Sequence, residues 1–221
     1  IILRLLLLTA LLHITAFASN TPQTTQQQVK PDLSTQARNQ APTLIPAPPE
    51  INATSWALMD QDSGVMIASK KAKKRVEMAS LTKLMSLYII SDALREEQIH
   101  LDDRVKVSKK AWSAQGSKMF LKEGSYVTLE KLINGAVVAS GNDAIIALAE
   151  HLSGSESNFV SLMNQTASML GLKHTHFQNA TGMPHKSHYS TAYDMANLAR
   201  SLVNNMPEYT TWYHQKWFEY N

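Results

Sequence analysis

The stretch Ser80-Leu81-Thr82-Lys83, running into Leu84-Met85-Ser86-Leu87-Tyr88-Ile89-Ile90, decides how this chain is read. Its apolar run predicts a buried helix from Ser80 to about Leu94. Residues three apart on a helix share one face, one turn apart, so the Lys83 amine comes within reach of the Ser80 hydroxyl. Free backbone N–H groups at a helix start favour negative charge on a bound group. A nucleophile, a neighbouring base and an anion-stabilising end are what acyl transfer needs.

By itself S-x-x-K is a weak signal, because a Ser near an N-cap followed by a solvated Lys is common. Ser140-Gly141-Asn142, sixty positions later and also ahead of an apolar helix, strengthens it. S-x-x-K with S-D-N and K-T-G marks penicillin-recognising serine enzymes. The first two elements stand here in order, with Gly141 in the middle position of the second; K-T-G does not occur in this chain. Ser80 is the candidate nucleophile, and a free hydroxyl needs an adjacent base. Lys83 can be that base if burial and nearby positive charge lower its pKa. Ser140 is placed to relay a proton to the leaving amine. Asn142 is the candidate substrate-binding residue, for the substrate amide and for holding Lys83. The oxyanion would take the Ser80 N–H and one further donor, each such donor being worth about 2.7–4 kcal/mol.

With 221 residues, 44% of them hydrophobic, the chain can build one domain with a sizeable core. A formal charge of +3 is too small to argue for nucleic acid. Much of it sits in Lys70, Lys71, Lys73, Lys74 and Arg75. We read that cluster as a solvated loop, the sharper alternative being a patch for an anionic polymer or membrane surface. The absence of cysteine excludes a disulfide framework and thiol-metal chemistry. His174, His176, His185 and His188 read as a polar loop rather than a metal site, so no metal and no cofactor is expected.

Residues 1–18 read as an export signal: Arg4, the apolar run Leu5 to Leu12, and Ala16-Phe17-Ala18 as a cleavage site. The run is short for a membrane span, although an uncleaved anchor stays open. No Met opens the chain, and both ends are expected to be incomplete. Residues 19–44, rich in Gln, Thr, Asn, Ser and Pro, cannot bury enough surface to order and are expected to be a tether. The catalytic domain is expected over 45–221, its folded part from about Ile51.

Ser55 to Met59 and Val65 to Ala68 predict two strands around the turn Gln61-Asp62-Ser63-Gly64. Arg104 to Val107 alternates and predicts a short strand. Thr128 is an N-cap for a helix carrying Leu129, Leu132, Ile133, Ala136 and Val137. Further helices are expected from Asp143 to Leu152, over Phe159 to Leu170 with Gly171 as C-cap, and from Tyr193 to Val203 capped by Ser190 or Thr191. Trp112, Met119 and Phe120 read as packing residues. So do Trp212, Tyr213, Trp217, Phe218 and Tyr220, unless they form a surface-binding patch. A lone hairpin is marginal, so the sheet looks unfinished.

From about Ile45 onward the chain resembles the low-molecular-mass penicillin-binding proteins that are serine D-alanyl-D-alanine carboxypeptidases. The likeness rests on Pro46-Ala47-Pro48-Pro49, Met78 to Met85, Lys118-Met119-Phe120-Leu121-Lys122, Ser140-Gly141-Asn142-Asp143-Ala144, Leu170 to Phe177 and Tyr189 to Ala196. It implies an α/β (α+β) fold of the β-lactamase/transpeptidase type: an antiparallel sheet, incomplete in this chain, with helices around it and a helical region beside it. It implies removal of the terminal D-Ala from peptidoglycan pentapeptides through an acyl-enzyme on Ser80. Lys83 would be the proton acceptor, with Ser140 and Asn142 as the second element. β-Lactams would be covalent inhibitors, and the protein would work in a bacterial periplasm, peripheral on the inner membrane.

The family's K-T-G strand supplies the substrate-carboxylate contact and the second oxyanion donor. Its β-rich domain and membrane-anchoring amphipathic helix lie further downstream. Lacking these, the chain as it stands is expected to be inactive or poorly active. Competing expectations are a D,D-endopeptidase, a class A β-lactamase and a non-catalytic wall-binding module. The lactamase needs a water-activating Glu, for which only Glu150, Glu156 and Glu208 follow the second motif.

Overall fold

A computed structural model describes residues 48–220. The expected export signal (1–18) and tether (19–44) lie outside the described residues. Strands β1 (Trp56–Met59) and β2 (Met66–Lys70) form the antiparallel hairpin, with Trp56 opposite Lys70 and Leu58 opposite Ala68. Asp60 closes its turn by accepting the Ser63 N–H at 2.8 Å, which with the Ser63 hydroxyl holds its carboxyl below the usual range.

A single-turn 3-10 segment, Ala79–Leu81, leads into α1 (Thr82–Arg95). Ser80 therefore sits in the tighter turn before the α-helix rather than within it, a correction to the expected start. In 3-10 geometry, positions i and i+3 eclipse, so the Ser–Lys spacing still stacks the two side chains. Strand β3 (Arg104–Lys106) pairs antiparallel with β4 (Tyr126–Thr128). Helix α2 (Lys109–Trp112) is one turn long and capped by Ser108. Neither α2 nor β4 was legible in the sequence.

Three longer helices follow: α3 (Leu129–Val138), α4 (Asn142–Ser153) and α5 (Glu156–Met169). Thr128 caps α3, accepting the Lys131 N–H. Gly171, at φ +70°, is the left-handed residue one place beyond the C-cap Leu170, and the Leu172 N–H reaches back to the Ala167 carbonyl. Helix α6 (Ala192–Asn205) starts at Thr191, whose hydroxyl accepts the Asp194 N–H. A 3-10 stretch, Pro207–His214, packs Trp212 inward.

The core is built around α4, in which every residue from Asn142 to Ala149 is buried. A helix apolar on all sides belongs inside other helices; α4 packs against α1, α3 and α5. That places the Ser140–Asn142 turn, at its N-terminus, beside the start of α1. Two packing expectations need correction. Trp112 is 46% exposed and Phe120 83% exposed, whereas Met119 is buried. For Phe120 the cause is Asp143, whose carboxylate binds the N–H groups of Met119 and Leu121, turning those side chains in and the intervening Phe120 out at φ +63°. In the aromatic tail Trp212 is buried but Trp217 is 78% exposed.

Candidate active site

Lys83 Nζ donates to Ser80 Oγ at 3.1 Å and to the Thr181 carbonyl at 2.9 Å. Ser140 Oγ also donates to Ser80 Oγ, at 3.1 Å. Three of the four sequence candidates thus converge on one hydroxyl. Lys83 is 4% exposed, and burial lowers its pKa from 10.5 to about 8. A neutral amine is therefore accessible near neutral pH, as a base for a hydroxyl requires.

The backbone around this cluster is strained on both sides. Ala79 (φ +46°) and Ser140 (φ +51°) are non-glycine residues in left-handed conformation, each costing on the order of 1–3 kcal/mol. Such outliers persist only where neighbours impose them. At Ala79 the neighbour is Gly182, at φ +93°, where an added Cβ would lie 1.9 Å from the Ala79 carbonyl oxygen. After Ser140 the turn is pinned by the Gly141 N–H on the Gly135 carbonyl at 3.0 Å and the Asn142 N–H on the Ser117 carbonyl.

Asn142, the fourth candidate, is buried. Its Nδ2 donates to the Gln115 carbonyl at 2.6 Å and its backbone N–H to the Ser117 carbonyl at 2.7 Å. Oδ1 is buried without a hydrogen-bond partner, an acceptor left unpaired beside the groove. The partners of Lys83 are Ser80 and Thr181, so Asn142 acts here on the 115–117 loop rather than on the amine.

The wall opposite α4 is the segment 177–183, and sequence reasoning missed it. Asn179 Oδ1 accepts the N–H groups of Thr181, Gly182 and Met183, winding the segment into a turn. Ser86 Oγ donates to the Ala180 carbonyl, and Glu156, ion-paired to Lys110, accepts the Ala180 N–H. Asn followed three residues later by Gly was the available signal, a turn pattern easily passed over as loop. His188 Nδ1 accepts the Gln178 N–H, so Nε2 carries the proton and donates to Thr82 Oγ1 at 2.8 Å. Burial lowers the His188 pKa, which keeps the ring neutral. His176 and His185 engage the Ser187 carbonyl and N–H.

A groove of about 240 Å³ opens beside Ser80, lined by Glu77, Gly116, Ser117, Asn142, Thr181 to Pro184 and His188. Glu77, a carboxylate on the groove wall, was not singled out from sequence. A larger cavity of about 480 Å³ between α1 and α5 holds the exposed Asp92–Arg95 pair but no nucleophile–base couple. Glu150 faces a different depression, with Val105 and Gly154, and Glu156 is committed to Lys110 and Ala180. Neither is placed to activate water at Ser80.

The family model for peptidase S11, D-alanyl-D-alanine carboxypeptidase, matches residues 42–221. D-alanyl-D-alanine carboxypeptidase DacC of Escherichia coli is 41% identical over 179 residues, covering 78% of this chain and 45% of that protein. DacF of Bacillus subtilis is 43% identical over 151 residues, covering 68% and 39%. Among solved structures, DacD from Francisella tularensis superposes with a TM-score of 0.75 at 42% identity, covering 77% of this chain and 41% of that one. Penicillin binding protein 5 from Haemophilus influenzae gives 0.77 at 39% identity, covering 79% and 52%. The chain spans less than half the length of the two carboxypeptidases named from Escherichia coli and Bacillus subtilis. Its mixed helix-and-sheet fold is that of the superposed solved structures, of the penicillin-binding transpeptidase type. With a matching model across most of its length, relatives above 40% identity and superposable structures, the chain belongs to the peptidase S11 family of D-alanyl-D-alanine carboxypeptidases.

Proposed function

We propose that this chain is the front part of a serine D-Ala-D-Ala carboxypeptidase acting on peptidoglycan pentapeptides, with Ser80 as nucleophile. The observation that carries the reading is the pair of 3.1 Å contacts that Lys83 Nζ and Ser140 Oγ make to Ser80 Oγ. Ser80 Oγ attacks the carbonyl of the penultimate D-Ala while its proton passes to neutral Lys83. The proton then moves through Ser140 Oγ to the departing D-Ala amine. Asn142 Oδ1 takes a substrate N–H, and water later cleaves the ester, returning a proton to Ser80. A β-lactam would form the same ester and release slowly.

The relatives' carboxypeptidase and penicillin-binding names support substrate and inhibitor alike. Export to a periplasm, with residues 1–18 as signal, 19–44 as tether and 45–221 as catalytic domain, completes the proposal. Among the described residues no helix is long and apolar enough to cross a membrane. Labelling the full-length protein with a fluorescent penicillin tests the assignment. Wild type should label one-to-one and Ser80→Ala not at all; labelling that survives in Ser80→Ala removes Ser80 from the mechanism.

A further inference from the structure

The cations at 70–75 are not a loose loop. Tyr193 N–H donates to the Ala72 carbonyl, Ser55 Oγ to the Lys71 carbonyl, and Val76 exchanges two backbone hydrogen bonds with Ser190. Arg75 lies over the Tyr189 ring at 4.3 Å and Lys73 over the Tyr193 ring at 5.7 Å. Among the described residues none of Lys70, Lys71, Lys73, Lys74 and Arg75 forms an ion pair. The segment joined to them through Ser190 and Tyr189 adds Lys173 and Lys186 and has no acid. Residues 70–78 and 172–190 together hold seven Lys and Arg against one carboxylate, Glu77, while the whole chain is only +3. The rest of the chain is therefore net acidic, and these cations lie on two segments joined by the Val76–Ser190 and His176–Tyr189 pairings. The Arg75 end of the first segment lies toward the Ser80 groove.

Both segments run into the wall of the Ser80 groove. Glu77 and His188 line it, next in sequence to Arg75–Val76 and to Tyr189. Ser80 stands five positions after Arg75, a span of at most about 18 Å. We infer that this fixed basic face docks a cell-wall polymer carrying repeated carboxylates, holding it alongside the groove while one stem enters. The choice of polymer rests on the carboxypeptidase reading. A bilayer laid against the same face would cover the groove mouth, so an anionic lipid surface fits it less well. Cations fixed beside a reactive cleft raise the local concentration of an anionic partner, by an amount that falls with ionic strength.

The test uses the full-length protein and its K70Q/K73Q/K74Q variant, with matched thermal melts as the folding control. Each is co-sedimented with insoluble peptidoglycan sacculi at about 10 mM and about 300 mM salt, Debye lengths of about 30 Å and under 8 Å. Wild type at low salt should be retained at least about tenfold better than the variant, the difference closing at high salt. Equal retention of the two proteins at low salt overturns the inference. So does capture of wild type by phosphatidylglycerol vesicles in preference to sacculi. Endpoint labelling by a fluorescent penicillin separates the two readings. Patch-dependent retention without labelling keeps the docking face and sinks the catalytic reading; labelling with equal retention does the reverse.

Discussion

The helical block around α4 and the β1–β2 hairpin are held in opposite ways. In the block, Ala144, Ile145, Ala147, Leu148 and Ala149 are at most 1% exposed, and stability comes from close packing. In the hairpin, Leu58, Val65 and Ile67 are more than half exposed. It is fastened mainly by polar contacts: Arg200 donates to the Gln61 and Asp62 carbonyls, and Asn204 to Gln61. Ser80, Lys83, Ser140 and Asn142 all sit on the packed side. The difference teaches that this site takes its geometry from helix packing, and that the hairpin carries none of its reacting groups.

The sharpest way to break the comparison is a cavity in the block. Leu148→Ala removes a side chain 1% exposed, and large-to-small changes at such positions cost about 2–5 kcal/mol. Urea denaturation should show that loss with m unchanged. Because α4 sets the Ser140–Asn142 turn, β-lactam acylation should slow as well. A loss under about 1 kcal/mol would mean that the block relaxes freely and the contrast is false.

Next in size is the titration of Lys83. Its folded pKa of about 8 lies below 10.5, so the unfolded chain holds the proton more tightly between those values. Stability therefore carries a burial penalty below about pH 8, which is relieved as pH rises from about 8 to 10.5, by on the order of 3 kcal/mol in full. Wild type should gain stability across that window, and Lys83→Met should lose that slope. The acylation rate should rise with pH and level off near the same value. An acylation rate flat from pH 6 to 9 would show that neutral Lys83 is not the proton acceptor.

Much of this was legible before any coordinates. Helices α3 to α6 announce themselves through apolar positions three and four apart and through caps such as Thr128 and Thr191. Both reacting motifs could be read because each precedes such a helix. What could not be read is short or non-local. Helix α2 and strand β4 are four and three residues long, too short for a period. The Thr181 carbonyl that holds Lys83 lies 98 residues away, and no local pattern announces it. Phe120 was misjudged because its exposure depends on Asp143, 23 positions downstream.

Asp143 marks where packing alone stops explaining the block. Its two oxygens satisfy the N–H groups of Met119, Leu121 and Ala144 in a buried setting. Asp143→Asn turns one acceptor into a donor facing an N–H, which should cost about 1–3 kcal/mol. Amide hydrogen exchange at Met119 and Leu121 should accelerate more than at Leu132 or Ile133. Uniform acceleration across the block would instead mark a global loss, with no special hold on the loop.

The hairpin offers the smallest effects and the closest test of the contrast. Leu58→Thr changes a side chain 53% exposed, on a strand where β-branched residues fit, and should move stability by no more than about 0.5 kcal/mol. Arg200→Ala removes two hydrogen bonds from an exposed charged group and should cost about 1 kcal/mol. Neither change reaches the Ser80 cluster, so β-lactam acylation should stay at the wild-type rate in both. If Arg200→Ala slowed acylation while Leu58→Thr did not, the seating of the hairpin on α6 would be coupled to the site. The route would run through Tyr193 and Thr191, whose neighbours Ala72 and Ser190 tie the chain ahead of Ser80 to the start of α6. Equal rates confine the hairpin to stability and leave the site to the helices.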